Sequence, residues 1–511
     1  MKIKKIILSI LTILAITFLG FSLISSVSQP QIQGRLELYQ TNLLLHAGEW
    51  EPEDLDSKNF NVASEALIGN DSYQTGLIQY QDARSAAQKQ LEKQEKELQV
   101  LSSDNPTTAQ TQQLNQNINE LKSLINEFDI NIGILQVQKN QIDAARQSWQ
   151  NLIETETVNQ SLEETAKVLT EIWDKPAKIL PNAESLIKQN LDGWFRFRAL
   201  KELYKLQERK AELTELQNQE QGIAEQAVLK LAIVAGVPGI GLVFGVGLLI
   251  FLGVQSLISG KESLLLKNAD STWEVTWDGE TILQVFIVGF FLVGQIIVPL
   301  GLEIFKSFTN WQPAIMGVRV QAGYILGAYI LFSLGGLLVL YLSIKSFFPL
   351  PEGWFKFDLR GGWFFWGLGG YFVALPMVIL ISLINQQLWQ GQGGSNPILP
   401  IALNGQDGIA LALFFITASI AAPVFEEVMF RGFLLPSLTK YMSTWKAIIA
   451  SGFLFAVAHL NISEVLPLAV LGIILGVVYS RSRNLLSSMF LHSLWNSGTL
   501  LSLYILGSGN S

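Results

Sequence analysis

The chain has 511 residues, of which 49% are hydrophobic and only 15% charged, a balance that excludes an ordinary soluble protein and predicts a multi-spanning membrane protein. The formal net charge of −8 leaves no basic face to neutralise phosphates, which argues against a nucleic-acid partner. Because the sequence has no cysteines, disulfides, thiolate metal sites and cysteine nucleophiles are excluded together.

The N-terminus begins with the basic sequence MKIKK and continues with about 20 apolar residues, long enough to span a bilayer. We interpret residues 1–29 as a signal anchor and transmembrane helix. A cleaved signal peptide is the alternative, but the apolar run is long and no clear small-residue cleavage site follows it. Either interpretation places the next segment outside the cytoplasm.

Residues 30–226 are rich in Gln, Glu, Lys and Asn and contain no run long enough to span, so they predict an extracytoplasmic α-helical domain exposed to water. Apolar residues recur at helical spacing in Leu77–Leu101 and Gln112–Glu154, and the Asp-Asn-Pro turn signal between them favours a helical hairpin. The segment Gly133–Ile153 resembles part of a tetratricopeptide-type helix pair, which would suggest a protein partner. No convincing second copy is present, so coiled-coil packing is favoured.

From residue 227 the chain is apolar to its end, and we divide it into transmembrane helices and loops at 227–360 and a transmembrane bundle at 361–507. Lys and Arg collect in the loops of one side, so the positive-inside rule predicts a cytoplasmic N-terminus. With the N-terminal helix we predict nine spans, the other eight being near 228–257, 281–305, 317–344, 363–386, 407–436, 446–461, 465–480 and 485–507. The predicted fold class is an all-α polytopic transmembrane bundle.

The stretch Ala421–Pro436, AAPVFEEVMFRGFLLP, places two adjacent carboxylates and an arginine inside an apolar run. Ionisable residues within a span are rare and normally face a bundle interior or a watery cavity. On a helix, Glu427 and Arg431 share a face at i,i+4 spacing and are predicted to form an ion pair. Glu426 is rotated by roughly 100° from its neighbour, so it remains a separately available carboxylate. Taken alone, the stretch fits an ion-pair brace or a transporter proton relay as well as it fits catalysis.

Two further apolar segments carry residues at i,i+4 spacing, Phe455 with His459 and His492 with Asn496. Counting from the predicted cytoplasmic turns places Glu426 and both histidines roughly 14 to 21 Å deep, near mid-membrane. A single buried histidine or asparagine is most often an interhelical hydrogen-bonding group. Together, a carboxylate, two imidazoles and an amide at one depth supply the groups that activate water and stabilise an oxyanion.

Three short sequences, EEVMFR, FAVAH and HSLWN, resemble the three motifs of the CPBP family of intramembrane proteases, in the family's order and approximate spacing. That family includes CAAX-processing, Rce1-type prenyl endopeptidases and bacteriocin-processing or immunity proteins. The resemblance covers residues 360–505 approximately, and the domain before residue 227 lies outside it. It implies Glu426 and His459 for water activation, His492 and Asn496 for the oxyanion, and Glu427, Arg431 and Phe455 as supporting residues.

The resemblance implies an intramembrane endopeptidase that acts on a membrane protein or peptide. We expect no cofactor. The STWEVTWDGE loop is also similar to cyanobacterial or plastid members, which implies a bacterial plasma membrane or thylakoid-type membrane.

Two other classes of function stay open at this stage. In a zinc-dependent membrane protease, His459, His492 and a glutamate would be ligands, but the chain has no HExxH motif and Glu426 would be lost as a base. The metal-free scheme is therefore favoured. In a non-catalytic membrane partner, chaperone or immunity protein, the same groups would only brace helices. A transporter is less favoured because no inverted repeat is evident.

Overall fold

The regular elements are helices, as predicted. The computed structural model describes residues 2–508 except 28, 30, 32, 52–68, 70, 105–108, 155–158, 390, 397 and 405–406. The chain divides into two compact units. The membrane unit consists of Met1–Ile32 and Val237–Gly507, and the helical unit consists of Gln33–Gly236 and Ser508–Ser511.

The helical unit contains the hairpin predicted from the sequence, because its two longest helices pack against each other. Its helices are Gln33–Ala47, Ser72–Asp104, Ala109–Gln138, Ile142–Ile153, Gln160–Ile172, Ala183–Asn190, Gly193–Leu206 and Lys210–Leu231. The predicted helical stretch 112–154 is wrong as one element, because Asn140 has a left-handed φ of 58° and divides it. Part of the predicted turn, residues 105–108, lies outside the described residues.

Trp149 lies where the helices Ala109–Gln138 and Ile142–Ile153 of this unit approach each other. Trp149 is 1% exposed and stacks on Trp173 with ring centroids 5.5 Å apart. Its Nε1 donates to the Ile130 carbonyl at 3.2 Å. A Cβ at Gly133 would lie 2.2 Å from that same nitrogen, so only glycine lets the two helices approach this closely.

The membrane unit is built from longer apolar helices. They are Lys2–Ser26, Val237–Ser259, Gly279–Thr309, Val318–Ile344, Trp363–Trp389, Ile398–Asn404, Gly408–Leu438, Thr444–Val457, Val465–Ser482 and Leu485–Gly507. Four short 3₁₀ turns lie at Gly260–Glu262, Pro313–Ile315, Lys345–Phe347 and Ile462–Glu464. The N-terminal helix packs in this unit, with the Phe18 ring centroid 5.5 Å from that of Phe291 and Lys4 Nζ 3.1 Å from Glu280 Oε1.

Seven helices of the described residues are long and apolar enough to cross a membrane. They are Ile3–Ser26, Lys210–Glu262, Gly279–Thr309, Val318–Phe347, Trp363–Trp389, Gly408–Leu438 and Ile462–Ser482. The protein is therefore a multi-pass integral membrane protein, but the prediction of nine spans exceeds this number. Thr444–Val457 has only 14 residues and reaches about 21 Å, short of a bilayer core. Leu485–Gly507 is long enough but is not among the seven; its serines, His492 and Asn496 dilute its apolar character.

Glycines bring two helices of the membrane unit into backbone contact. A Cβ at Gly452 would lie 2.8 Å from the Ile473 nitrogen, and a Cβ at Gly472 would lie 2.8 Å from the Gly452 Cα. The helices Thr444–Val457 and Val465–Ser482 therefore cross at a distance that only glycine allows.

The helix Gly408–Leu438 is not regular. Two π-helical segments, Ile416–Ala421 and Val428–Leu434, flank a short α-helical segment, Ala422–Glu427. Each π turn contains an extra residue and displaces the hydrogen-bond register, and such turns are frequent at functional sites. The sequence pattern predicts a regular span and carries no sign of this change.

Candidate functional site

The predicted ion pair forms at the centre of the membrane unit. Arg431 Nη1 lies 2.7 Å from Glu427 Oε1, and both side chains are fully buried. Arg431 Nη2 donates to the Gly472 carbonyl at 2.9 Å, which the glycine crossing brings within reach. A buried charge pair of this kind is stable only when further hydrogen bonds compensate for lost hydration.

His492 links the two glutamates. Its Nδ1 lies 3.0 Å from Glu427 Oε1, and its Nε2 lies 3.9 Å from Glu426 Oε2. Because Glu427 forms an ion pair with the permanently charged guanidinium of Arg431, we take it as a carboxylate that only accepts, so Nδ1 of His492 carries the hydrogen between them. The Nε2 atom is therefore the one that faces the second carboxylate.

Glu426 has a different environment from its neighbour. Its side chain is 15% exposed, whereas that of Glu427 is 0% exposed. Tyr329 Oη donates to Glu426 Oε1 at 2.9 Å. One carboxylate oxygen is thus held by a phenol and the other faces His492, in keeping with the different directions that helix geometry predicts for the two glutamates.

Phe455 lies between the two histidine rings. Its ring centroid is 4.9 Å from that of His459 and 5.6 Å from that of His492. The Arg431 guanidinium lies 4.5 Å from the centre of the same ring. Phe455 is fully buried, so it separates the histidines and covers the cation with an apolar face.

His459 does not lie on a span, contrary to the prediction of a helix over 446–461. The helix ends at Val457, and His459 belongs to the turn that follows. Its Nδ1 lies 2.8 Å from the Phe455 carbonyl, which only accepts, so Nδ1 carries the hydrogen. Leu460 then has a φ of 64°, a strained left-handed conformation for a leucine that reverses the chain at once.

Distant segments hold the turn that carries His459. The Ile462 N–H donates to Ser26 Oγ at 3.0 Å, at the end of the N-terminal helix. Ser463 Oγ donates to the Gly394 carbonyl at 2.7 Å, and Asn385 Nδ2 donates to the Ser463 carbonyl at 2.7 Å. The position of His459 therefore depends on three parts of the membrane unit.

Asn496 binds backbone rather than another predicted site residue. Its Nδ2 donates to the Ala418 carbonyl at 2.7 Å. In the π-helical register the Ala422 N–H donates to Thr417, so the next donor, for Ala418, would be residue 423. That residue is Pro423, which has no N–H, and the Asn496 amide replaces the missing donor.

The structure therefore brings most of the predicted residues into one set of contacts. Glu426, Glu427, Arg431, Phe455, His459 and His492 are connected, the two histidines through the Phe455 ring. Asn496 joins the Glu426 helix only through a carbonyl. The sequence analysis did not predict Tyr329 as a site residue. A tyrosine hydroxyl within an apolar span needs a hydrogen-bond partner, which is a signal for such a residue. However, the helix Val318–Ile344 contains three tyrosines, and the sequence pattern does not distinguish among them.

The positions of the donor groups bear on metal binding. Among the residues that the structure describes, no group of three or more His, Asp or Glu side chains is placed to hold a metal ion. Both histidines use Nδ1 for a protein contact, so each could offer only Nε2.

Comparison with known proteins adds a family. Residues 408–498 match the family model described as type II CAAX prenyl endopeptidase Rce1-like. Over 132 residues the chain is 24% identical to "Putative membrane peptidase YdiL" of Bacillus subtilis (strain 168), which covers 26% of this chain and 53% of that protein. The chain thus spans about half the length of this curated relative. No solved structure matches the chain significantly.

The matched residues include all six side chains of the connected set, whereas Tyr329, which contacts Glu426, lies outside the match. The family match and the site geometry thus meet in one part of the membrane unit, from the first π-helical segment to the His492 helix. Residues 408–498 of this membrane protein are an Rce1-like domain.

Proposed function

We propose that the protein is an intramembrane endopeptidase, in which Glu426 activates water to hydrolyse a peptide bond of a membrane-embedded protein or peptide. One observation carries the proposal: Glu426 has one oxygen bound to Tyr329 and the other 3.9 Å from His492 Nε2, inside the Rce1-like domain. That separation is too long for a direct hydrogen bond and suits a bridging water or substrate oxygen.

In the proposed reaction, Glu426 Oε2 accepts a proton from water while the water oxygen bonds to the substrate carbonyl carbon. The carbonyl electrons move to oxygen, and His492 Nε2–H donates to the oxyanion. The tetrahedral intermediate collapses, the C–N bond breaks, and the proton on Glu426 passes to the leaving nitrogen. The products are a carboxylic acid and an amine, and no covalent enzyme intermediate is needed.

The proposed scheme uses both ring nitrogens of His492 as donors. Nδ1–H is directed to Glu427, 3.0 Å away, and Nε2–H is directed to the gap beside Glu426. We therefore assign His492 to oxyanion stabilisation rather than to proton abstraction.

His459 is proposed to assist Glu426 with the water. Since its Nδ1 donates to the Phe455 carbonyl, the neutral ring keeps a lone pair on Nε2. Asn496 has one amide hydrogen on the Ala418 carbonyl, so we assign it first to holding the Glu426 helix. An oxyanion role for Asn496 would use its second amide hydrogen.

The proposed mechanism is metal-free, and it has a direct test. Hydrolysis by the purified chain should survive exhaustive chelation, and metal analysis of active protein should find no stoichiometric zinc. Zinc at one per chain, with activity restored only by its return, would require Glu426 to be a ligand instead of a base.

A non-catalytic membrane partner is the second candidate, and the Glu427, Arg431 and His492 network favours it. These side chains are almost fully buried and bound to one another, as in a brace between helices. Glu426 argues against this candidate, because it is partly exposed and lies 3.9 Å from the nearest His492 nitrogen, too far for a direct hydrogen bond.

Substrate trapping decides between the two candidates. Membrane proteomes of cells carrying wild type or Glu426→Gln should differ by proteins that accumulate uncleaved only in the variant. Glu303→Gln is the matched control, because Glu303 is 67% exposed and pairs with Lys306 on its own helix. Identical proteomes, together with no cleavage by wild type across a library of quenched fluorogenic peptides, would favour the non-catalytic candidate.

We further propose the topology that the loop charges predict, with a cytoplasmic N-terminus in a bacterial plasma membrane or thylakoid-type membrane, and residues 30–226 outside the cytoplasm as a site for a protein partner. A reporter fused after Lys261 should be cytoplasmic, and one fused near residue 150 should not. Reporters on the same side would contradict the topology.

A further inference from the structure

We infer that Tyr329 is a positioning residue of the active site, supplied by a helix outside the Rce1-like domain. Tyr329 lies on Val318–Ile344, whereas the family match begins at residue 408. The inference rests on the proposed function of Glu426. It also extends that function, since it makes the earlier transmembrane helices part of the catalytic apparatus.

The contact is specific in its atoms. Tyr329 Oη lies 2.9 Å from Glu426 Oε1, and this is the hydrogen bond that the Glu426 side chain makes among the described residues. A carboxylate only accepts, so the phenol donates. With Oε1 held in this way, the carboxylate plane is fixed and Oε2 remains directed to the side of His492, 3.9 Å away.

The phenol ring is itself held in place. It meets Phe332 edge to face, with centroids 5.8 Å apart, and Phe425 in the same way at 6.3 Å. Phe425 precedes Glu426 in the chain and is 1% exposed. These aromatic contacts therefore connect the Tyr329 helix to the backbone beside Glu426. Without such a support, the Glu426 side chain would have several rotamers available.

The hydrogen bond from Tyr329 fixes the orientation of the Glu426 carboxylate. A base that must remove a proton in one geometry loses rate when its carboxylate rotates, and a misplacement of about 1 Å can cost about 100-fold. Removing the Tyr329 hydroxyl should leave the base present but less often aligned. The effect should fall on kcat more than on KM, because Tyr329 contacts the base and not the substrate.

The test uses the full chain in proteoliposomes and the fluorogenic peptide that wild type cleaves fastest. Tyr329→Phe should lower kcat by about 10- to 100-fold and leave KM within about twofold. Tyr324→Phe is the control, because Tyr324 lies on the same helix but its ring contacts Trp311. It should keep wild-type kinetics.

A thermal double-mutant cycle provides a readout that does not need activity. Tyr329→Phe should lower the melting temperature of wild type but not that of Glu426→Ala, because the lost hydrogen bond has no partner in that background. Additive shifts, or wild-type kcat for Tyr329→Phe while Glu426→Gln is inactive, would overturn the inference and leave the proposed function standing. Full activity of Glu426→Gln would instead remove the proposed function, and the positioning role with it.

Discussion

Two buried histidine–carboxylate pairs, one in each unit, have nearly the same geometry and different surroundings. His46 Nδ1 lies 2.6 Å from Glu220 Oε1 in the helical unit, and His492 Nδ1 lies 3.0 Å from Glu427 Oε1 in the membrane unit. All four side chains are at most 4% exposed. Burial and pairing therefore do not by themselves distinguish a structural pair from a functional one.

The other ring nitrogen makes the difference. A Cβ at Gly193 would lie 3.2 Å from His46 Nε2, so that nitrogen faces backbone. His492 Nε2 faces Glu426, a second carboxylate that is partly exposed. The comparison teaches that chemistry requires a free group beside the buried pair, because a fully enclosed pair has no room for a substrate.

The largest effect is expected from a substitution of Glu426, the carboxylate that distinguishes the pair in the membrane unit from the pair in the helical unit. Glu426→Gln keeps the shape of the side chain and removes the base, so hydrolysis should fall by at least about 10²- to 10⁴-fold while the protein still folds. The measurement is peptide cleavage beside melting temperature. Glu220→Gln, which alters the other pair, should leave hydrolysis unchanged. Full hydrolysis by Glu426→Gln would exclude this residue as the base.

Substitutions that break the ion pair between Glu427 and Arg431 should lower the stability of the protein. Glu427→Gln leaves Arg431 as an uncompensated buried charge and should cost about 3–5 kcal/mol of unfolding free energy. Arg431→Gln should behave similarly, and the double variant should recover part of the loss because neither charge remains alone. Denaturation of purified variants measures all three. A double variant as unstable as the sum of the single ones would contradict the pairing argument.

A substitution of Asn496 tests whether this residue stabilises the fold or acts in hydrolysis. Asn496→Ala leaves the Ala418 carbonyl without its donor and should cost about 1–3 kcal/mol of stability in addition to any loss of activity. Ser497→Ala is the control, since that hydroxyl donates to the Ser493 carbonyl of its own helix. An unchanged melting temperature with reduced kcat would restore Asn496 to the oxyanion role.

The smallest expected effect is the pH dependence of the stability that Glu184 contributes on the water-exposed surface of the helical unit. Hydrogen bonds from Lys188, Arg209 and Tyr204 lower the pKa of Glu184 from 4.5 to about 2. A depressed pKa means that the stabilisation is fully present above pH 4.5 and is lost as pH falls toward 2. The melting difference between wild type and Glu184→Gln should therefore shrink over that window. A difference independent of pH would contradict it.

Local rules explain the expectations that the structure confirms. The i,i+4 spacing of Glu427 and Arg431 is a property of any helical turn, so their ion pair could be predicted from the sequence. The rotation between neighbouring positions likewise separates Glu426 from Glu427. Membrane character follows from run length and apolarity, because a bilayer core needs about 20 apolar residues.

The sequence by itself therefore determined a polytopic helical protein, the buried ion pair and the set of chemical groups at the site. Only the tertiary structure decided how these groups are arranged. Tyr329 reaches Glu426 across 97 positions of sequence, and the Ala418 carbonyl meets Asn496 across 78. The end of the His459 helix likewise depends on contacts with Ser26 and other distant segments. Such pairings follow from how whole helices pack, which periodicity along one helix does not specify.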